Sequence, residues 1–152
     1  MGQIISIHSF RGGTGKSNVT ANLAAQVALV DKRVGVVDTD IQSPGIHVLF
    51  GLDETHTGNT LNDFLHGKCT IREVAFPVGD NSRQHAQLVG KDLWLFPSSI
   101  RGREISQILR EGFDINLLNT GLQTLMSEFD LDYLFIDTHP GLNEETLLSI
   151  AI

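Results

Sequence analysis

Apolar residues along the chain fall into short runs separated by polar, glycine-punctuated stretches. Four runs, residues 3–8, 33–38, 93–96 and 133–137, read as strands. They are rich in Val, Ile, Leu and Phe without strict polar alternation, the pattern of strands covered on both faces in a parallel sheet. Between them the spacing turns helical. Over residues 16–30, Val19, Leu23, Val27 and Val30 share one stripe, and alanines fill the neighbouring face. Residues 103–109 and 116–129 predict further helices, with Gly112 as a break between them. Residues 60–66 predict a short helix capped by Thr60 or Asn59. Gly79, Asp80, Asn81 and Ser82 predict a loop or hairpin tip. Alternating strands and helices imply right-handed βαβ crossovers. The expected fold is α/β, a doubly wound, mostly parallel sheet with helices on both faces.

Composition narrows the class without naming a function. The chain has 152 residues, 41% hydrophobic and 19% charged, which is globular composition and room for about one domain. No linker divides it, so residues 1–152 are expected to form one domain. The only cysteine, Cys69, excludes an intramolecular disulfide framework and any CxxC site. Eighteen acidic against eleven basic residues argue against a nucleic-acid surface built on overall charge. Residues 21–30, the longest apolar-rich run, are too short to span a bilayer. Met1-Gly2-Gln3 leads straight into a strand with no basic region, so the expected location is cytoplasmic.

The first strand runs into Ser9-Phe10-Arg11-Gly12-Gly13-Thr14-Gly15-Lys16-Ser17, and a helix follows at once. Strand, glycine-rich loop and helix form the context of a phosphate-binding loop. The glycines let backbone N–H groups turn inward toward phosphate oxygens, and the helix N-terminus adds its dipole. In such a loop Lys16 reaches the β- and γ-phosphates and the Ser17 hydroxyl ligates Mg²⁺. The common pattern G-x-x-x-x-G-K-[ST] is not met, because its first glycine position holds Phe10.

Two more strands end in acidic residues. The second is followed by Asp38-Thr39-Asp40, and the last runs Tyr133-Leu134-Phe135-Ile136-Asp137 into Thr138-His139-Pro140-Gly141. Carboxylates at the C-terminal ends of parallel strands lie beside the crevice where such sheets bind ligands. The last run has the Walker B pattern, whose carboxylate holds Mg²⁺. His139 is given no catalytic role, since phosphoryl transfer needs positioning and charge neutralisation more than proton abstraction. The remaining histidines, His8, His47, His56, His66 and His85, have no metal-ligand spacing.

Taken together, G-G-T-G-K-S, D-x-D and D-x-x-P-G resemble the deviant Walker A ATPases of the MinD/ParA family, across most of the chain. One position departs: Arg11 stands where the family has a signature lysine. The resemblance implies that ATP and Mg²⁺ bind at Gly12, Gly13, Thr14, Gly15, Lys16 and Ser17. It implies that Asp40 positions the attacking water, that Asp38 and Asp137 organise the metal with Ser17, and that Gly141 donates to the γ-phosphate. It further implies a homodimer with nucleotide sandwiched between subunits, in which the residue at Arg11 acts on the partner's phosphates. An activator protein, and a DNA or membrane matrix, are partners the family suggests; the basic residues or amphipathic helix that would choose between matrices are not present in the sequence. The implied role is spatial positioning or partitioning of a large cargo. Alternatives are a nucleotide-gated binding module with negligible turnover, a bacterial tyrosine kinase and a metallocentre-assembly ATPase. The kinase is disfavoured by a single tyrosine, Tyr133, and the metallocentre ATPase by the absence of paired cysteines. Residues 144–152 read as a helix without a terminal cap, so the chain is expected to be the N-terminal portion of a larger domain.

Overall fold

A computed structural model describes residues 2–53, 55, 58–81 and 86–139. Its centre is a five-stranded sheet of β1 (Gln3–Ile7), β2 (Val34–Asp38), β3 (Phe76–Pro77), β4 (Leu93–Phe96) and β5 (Tyr133–Asp137), in the order β1-β5-β2-β4-β3. β1, β5, β2 and β4 are parallel; β3 runs antiparallel to β4. All four predicted strands are present. β3 has no counterpart among them, because two residues carry no period. Pro77, which has no N–H to give to a ladder, is placed at the edge, where proline is tolerated.

Side chains alternate across the sheet and feed two cores. On one face Val37, Phe96, Leu134 and Ile136 pack with Leu118, Leu122 and Leu125 of α6 (Ile115–Glu128), with Leu61 and Leu65 of α3 (Leu61–Leu65), and with Ile108 of α5 (Gly102–Glu111). On the other, Val34, Val36, Leu93, Leu95 and Phe135 meet Ala21, Ala24 and Ala28 of α1 (Lys16–Leu29) and Ile46 of α2 (Ile46–Leu49). Burial on both faces is why β2, β4 and β5 lack polar alternation; β1, at the sheet edge, has no fully buried residue.

Local signals set the helix ends. Asp114 accepts the Asn116 amide at 2.8 Å and caps α6. Thr60 caps α3 reciprocally with Asp63, whose carboxylate accepts the Thr60 amide at 3.0 Å and its hydroxyl at 2.9 Å. Gly112 ends α5 with φ of 70°.

Two expectations need correction. Val19, Leu23 and Val30 are 50%, 45% and 68% exposed, whereas Ala24 and Ala28 are fully buried. The alanine face of α1 lies on the sheet because small side chains let the helix approach closely; Val19, Leu23 and Val30 look outward, while Val27 is half-buried against the same core. Gly79, Asp80 and Asn81 belong to a helical turn, α4 (Val78–Asn81), rather than a loop tip. A Cβ on Gly79 would collide with the Lys91 carbonyl, so the turn is tucked under the chain that leads to β4. Ser82 and residues 144–152 lie outside the described residues.

Candidate functional site

Parallel pairing brings the C-terminal ends of β1, β5 and β2 to one rim, with Ile7 beside Asp137 and Asp137 beside Asp38. The phosphate loop leaves β1 at that rim and returns into α1. Gly13 and Gly15 adopt φ of 72° and 84°, the left-handed region glycine enters without penalty. Gly15 then opens α1, its carbonyl accepting the Val19 amide at 2.9 Å.

The Asp137 carboxylate is the hub. Lys16 Nζ lies 2.9 Å from Oδ1, the Ser17 hydroxyl donates to Oδ2 at 2.6 Å, and the Thr20 hydroxyl stands 3.4 Å from Oδ1. Asp38 is fully buried next to it. Its Oδ1 accepts the Asp40 amide at 3.0 Å, while Oδ2 is buried with no hydrogen-bond partner among the described residues. Burial pushes the Asp38 carboxyl well above the usual carboxylate range, and the charges of Asp137 and Asp40 push the same way; the Asp40 amide and Lys16 act against them. Asp40 Oδ1 accepts the Ser43 amide at 3.1 Å, and His139 Nε2 is 3.9 Å from the same oxygen. Burial raises the Asp40 carboxyl, opposed by the Ser43 amide, His139 and Lys16.

Around these groups is an open cleft of about 360 Å³, lined by the loop from Gly12 to Ser17 with Asp40, Ser43 and His139. That volume is in the range of small-molecule sites. Its groups fit an anion beside a hard cation: the Lys16 ammonium and a glycine-rich loop together with the Ser17 hydroxyl and the Asp137 and Asp38 carboxylates. The orphaned Asp38 oxygen is the kind of buried acceptor a cation or its water satisfies. Among the described residues no three His, Cys, Asp or Glu side chains form a cage of their own. The Ser17 hydroxyl beside the Asp137 carboxylate suits Mg²⁺, which binds through one or two carboxylates and keeps several waters.

Of the residues singled out from the sequence, Gly12, Gly13, Thr14, Gly15, Lys16, Ser17, Asp38, Asp40 and Asp137 converge here. Arg11 is exposed and is not among the residues lining the cleft. Gly141 lies outside the described residues, as do His56 and His85. His139, in the loop after β5, lines the cleft. Sequence reasoning also missed the hydroxyls that hold the rim. The Thr39 hydroxyl donates to the Asp137 carbonyl, Ser98 to that of Asp38 and Thr138 to that of Ile7, at 2.9, 2.7 and 2.9 Å. The available signal was positional: each follows a parallel strand by one or two residues.

A family model described as an AAA domain matches residues 2–152. The chain belongs to that family, with the MinD/ParA-type P-loop ATPases. An iron-sulfur cluster carrier protein of Methanocaldococcus jannaschii is 33% identical over 94% of the chain and 43% of the relative. The septum site-determining protein MinD of Thermotoga maritima is 30% identical over 93% of the chain and 46% of the relative. The solved structure of MinD from Pyrococcus horikoshii, complexed with Mg-ADP, superposes with a TM-score of 0.75 at 25% identity, over 99% of the chain and 54% of that protein. The chain thus spans about half the length of the relatives it matches. Among the described residues no helix is long and apolar enough to cross a membrane.

Proposed function

We propose that this chain forms the phosphate- and metal-binding part of a Mg²⁺-dependent ATPase that switches between nucleotide-bound states, and that residues 1–152 act in it as one nucleotide-binding unit. The supporting observation is the meeting of Lys16, Ser17, Asp38 and Asp137 at one rim, beside a loop in which Gly13 and Gly15 take left-handed backbone conformations. A Mg²⁺ ion held by Ser17 and Asp137, with Asp38 behind them, would supply charge neutralisation for the phosphates. The chain's own residues do the rest. Lys16 exchanges Asp137 for phosphate oxygens, Ser17 and Asp137 hold the cation with Asp38 behind them, and Asp40 orients the attacking water. Gly141 supplies an N–H toward the terminal phosphate. Arg11, exposed beside the cleft, is directed at a second subunit in a nucleotide-sandwiched homodimer and takes the part of the family's lysine through its guanidinium fork.

The similar proteins include a septum site-determining MinD and an iron-sulfur cluster carrier, so the cargo does not follow from the family alone. A switch positioning a large cargo in the cytoplasm, answering to an activator protein on a DNA or membrane matrix, is the role we assign. Phosphate release by wild type and Asp40→Ala, with mass measured in a non-hydrolysable ATP analogue and in ADP, tests the reading. Turnover lost in Asp40→Ala and a dimer formed only with the analogue support it. ATP binding with wild-type turnover no higher than Asp40→Ala would instead favour the nucleotide-gated module.

A further inference from the structure

The two acidic strands leave the sheet in step. β2 and β5 are parallel neighbours with Asp38 opposite Asp137, so residues two further on, Asp40 and His139, emerge side by side. The β5 tail is pinned from both flanks. Thr39 gives its amide and its hydroxyl to the Asp137 carbonyl, both at 2.9 Å. Thr138 gives its hydroxyl to the Ile7 carbonyl at 2.9 Å, and His8 Nδ1 lies 3.4 Å from that hydroxyl oxygen. With the tail held, the His139 imidazole lines the cleft across from the phosphate loop. Its Nε2 is 3.9 Å from Asp40 Oδ1, the oxygen that already accepts the Ser43 amide. Among the described residues the Ser43 amide and His139 both meet this carboxylate at Oδ1, and Asp40 lines the cleft.

We propose that His139 is a positioning residue for Asp40: with the Ser43 amide it grips one carboxylate oxygen, so that the other is presented to the water at the terminal phosphate. This rests on the role assigned to Asp40 above. The present separation is longer than a hydrogen bond, and closing it takes a shift of about 1 Å, as when apo-state contacts tighten around substrate. Only the Nε2 proton is needed. The grip therefore requires a donor at this place, not a change of charge, and it ties the tail of β2 to the tail of β5.

The test compares wild type, His139→Ala, His139→Gln, Asp40→Asn and the double variant His139→Ala/Asp40→Asn. Steady-state hydrolysis, equilibrium binding of a fluorescent ATP analogue and solvent exchange of the Ser43 amide without nucleotide are measured. His139→Ala is expected to lower kcat about ten- to hundredfold, the order that misplacement by about 1 Å costs. Analogue binding and KM should stay within about twofold, the signature of an interaction made in the transition state. His139→Gln should recover most of the loss, and His139→Ala should cost nothing further in the Asp40→Asn background. Ser43 exchange should speed up in His139→Ala. Additive losses in the double variant, a loss carried by KM, or no recovery with glutamine would overturn the proposal. If wild type binds ATP but does not hydrolyse it, the ATPase reading fails separately. The Ser43 amide then decides: faster exchange in His139→Ala supports the grip, and unchanged exchange overturns it.

Discussion

Lys16 Nζ lies 2.9 Å from Asp137 Oδ1, with the two side chains only 8% and 1% exposed. The phosphate-loop cation and the Walker B carboxylate thus satisfy each other without ligand, and binding of nucleotide must exchange that pair for new partners. Removing one member of a buried pair leaves the other uncompensated, at a cost of about 3 kcal/mol. Lys16→Ala should therefore destabilise the nucleotide-free protein by that order in urea unfolding and also abolish ATP binding. The double variant Lys16→Ala/Asp137→Asn should regain most of the stability and none of the binding. A Lys16→Ala protein as stable as wild type would show that the pair contributes nothing to the empty fold.

Asp38 predicts how stability varies with pH. Its folded carboxyl is raised well above the ordinary aspartate value of 3.8, mainly by burial and then by Asp137. Between the unfolded and folded pKa values the native state holds the proton that the unfolded chain has lost, so this group's contribution falls as pH rises. The loss begins near pH 3.8 and continues until the folded carboxyl has ionised. Asp38→Asn carries no such penalty. Melts in EDTA should show it gaining on wild type with each step up in pH, and Mg²⁺-ATP should shrink the gap by giving wild type a cation to hold. A gap that does not change with pH would mean Asp38 is not the group responsible.

Most of the site could be read from the sequence because its signals are local. Gly13 and Gly15 announce a backbone only glycine adopts easily, and Asp38 and Asp137 end runs whose apolar character marks buried strands. What the sequence hid depends on pairing. The contact between Asp40 and His139 exists because β2 and β5 are neighbours in register, which neither segment states by itself. β3 exists only as a partner of β4. On α1, period alone could not tell the apolar stripe from the packed face, because close approach to a sheet selects alanine over larger side chains.

That reversal on α1 can be tested directly. Ala24 is fully buried against the sheet and Leu23, one residue away, is 45% exposed. Ala24→Leu adds volume to a packed face and should cost about 1–3 kcal/mol. Leu23→Gln keeps helix propensity and should change stability by less than about 0.5 kcal/mol. Denaturant midpoints at equal m-values decide the matter. The opposite ranking would restore the valine–leucine stripe as the docking face.

The proposed role of Arg11 predicts that its removal separates binding from association. The Ser9 hydroxyl donates to the Arg11 carbonyl at 2.8 Å, holding the loop backbone, while the Arg11 side chain is exposed and Phe10 beside it is 92% exposed. Because Arg11 is not among the residues lining the cleft, its charge adds little to nucleotide held within one subunit. Arg11→Ala should keep ATP-analogue affinity within about threefold, as expected for an exposed charge screened by solvent, yet lose the analogue-dependent dimer in light scattering. Arg11→Lys should keep the dimer, since a positive charge facing phosphate is what the position requires, although the bidentate geometry is lost. A dimer that survives Arg11→Ala unchanged would remove the guanidinium from the interface, and a collapse of affinity in that variant would place it on its own subunit's nucleotide instead.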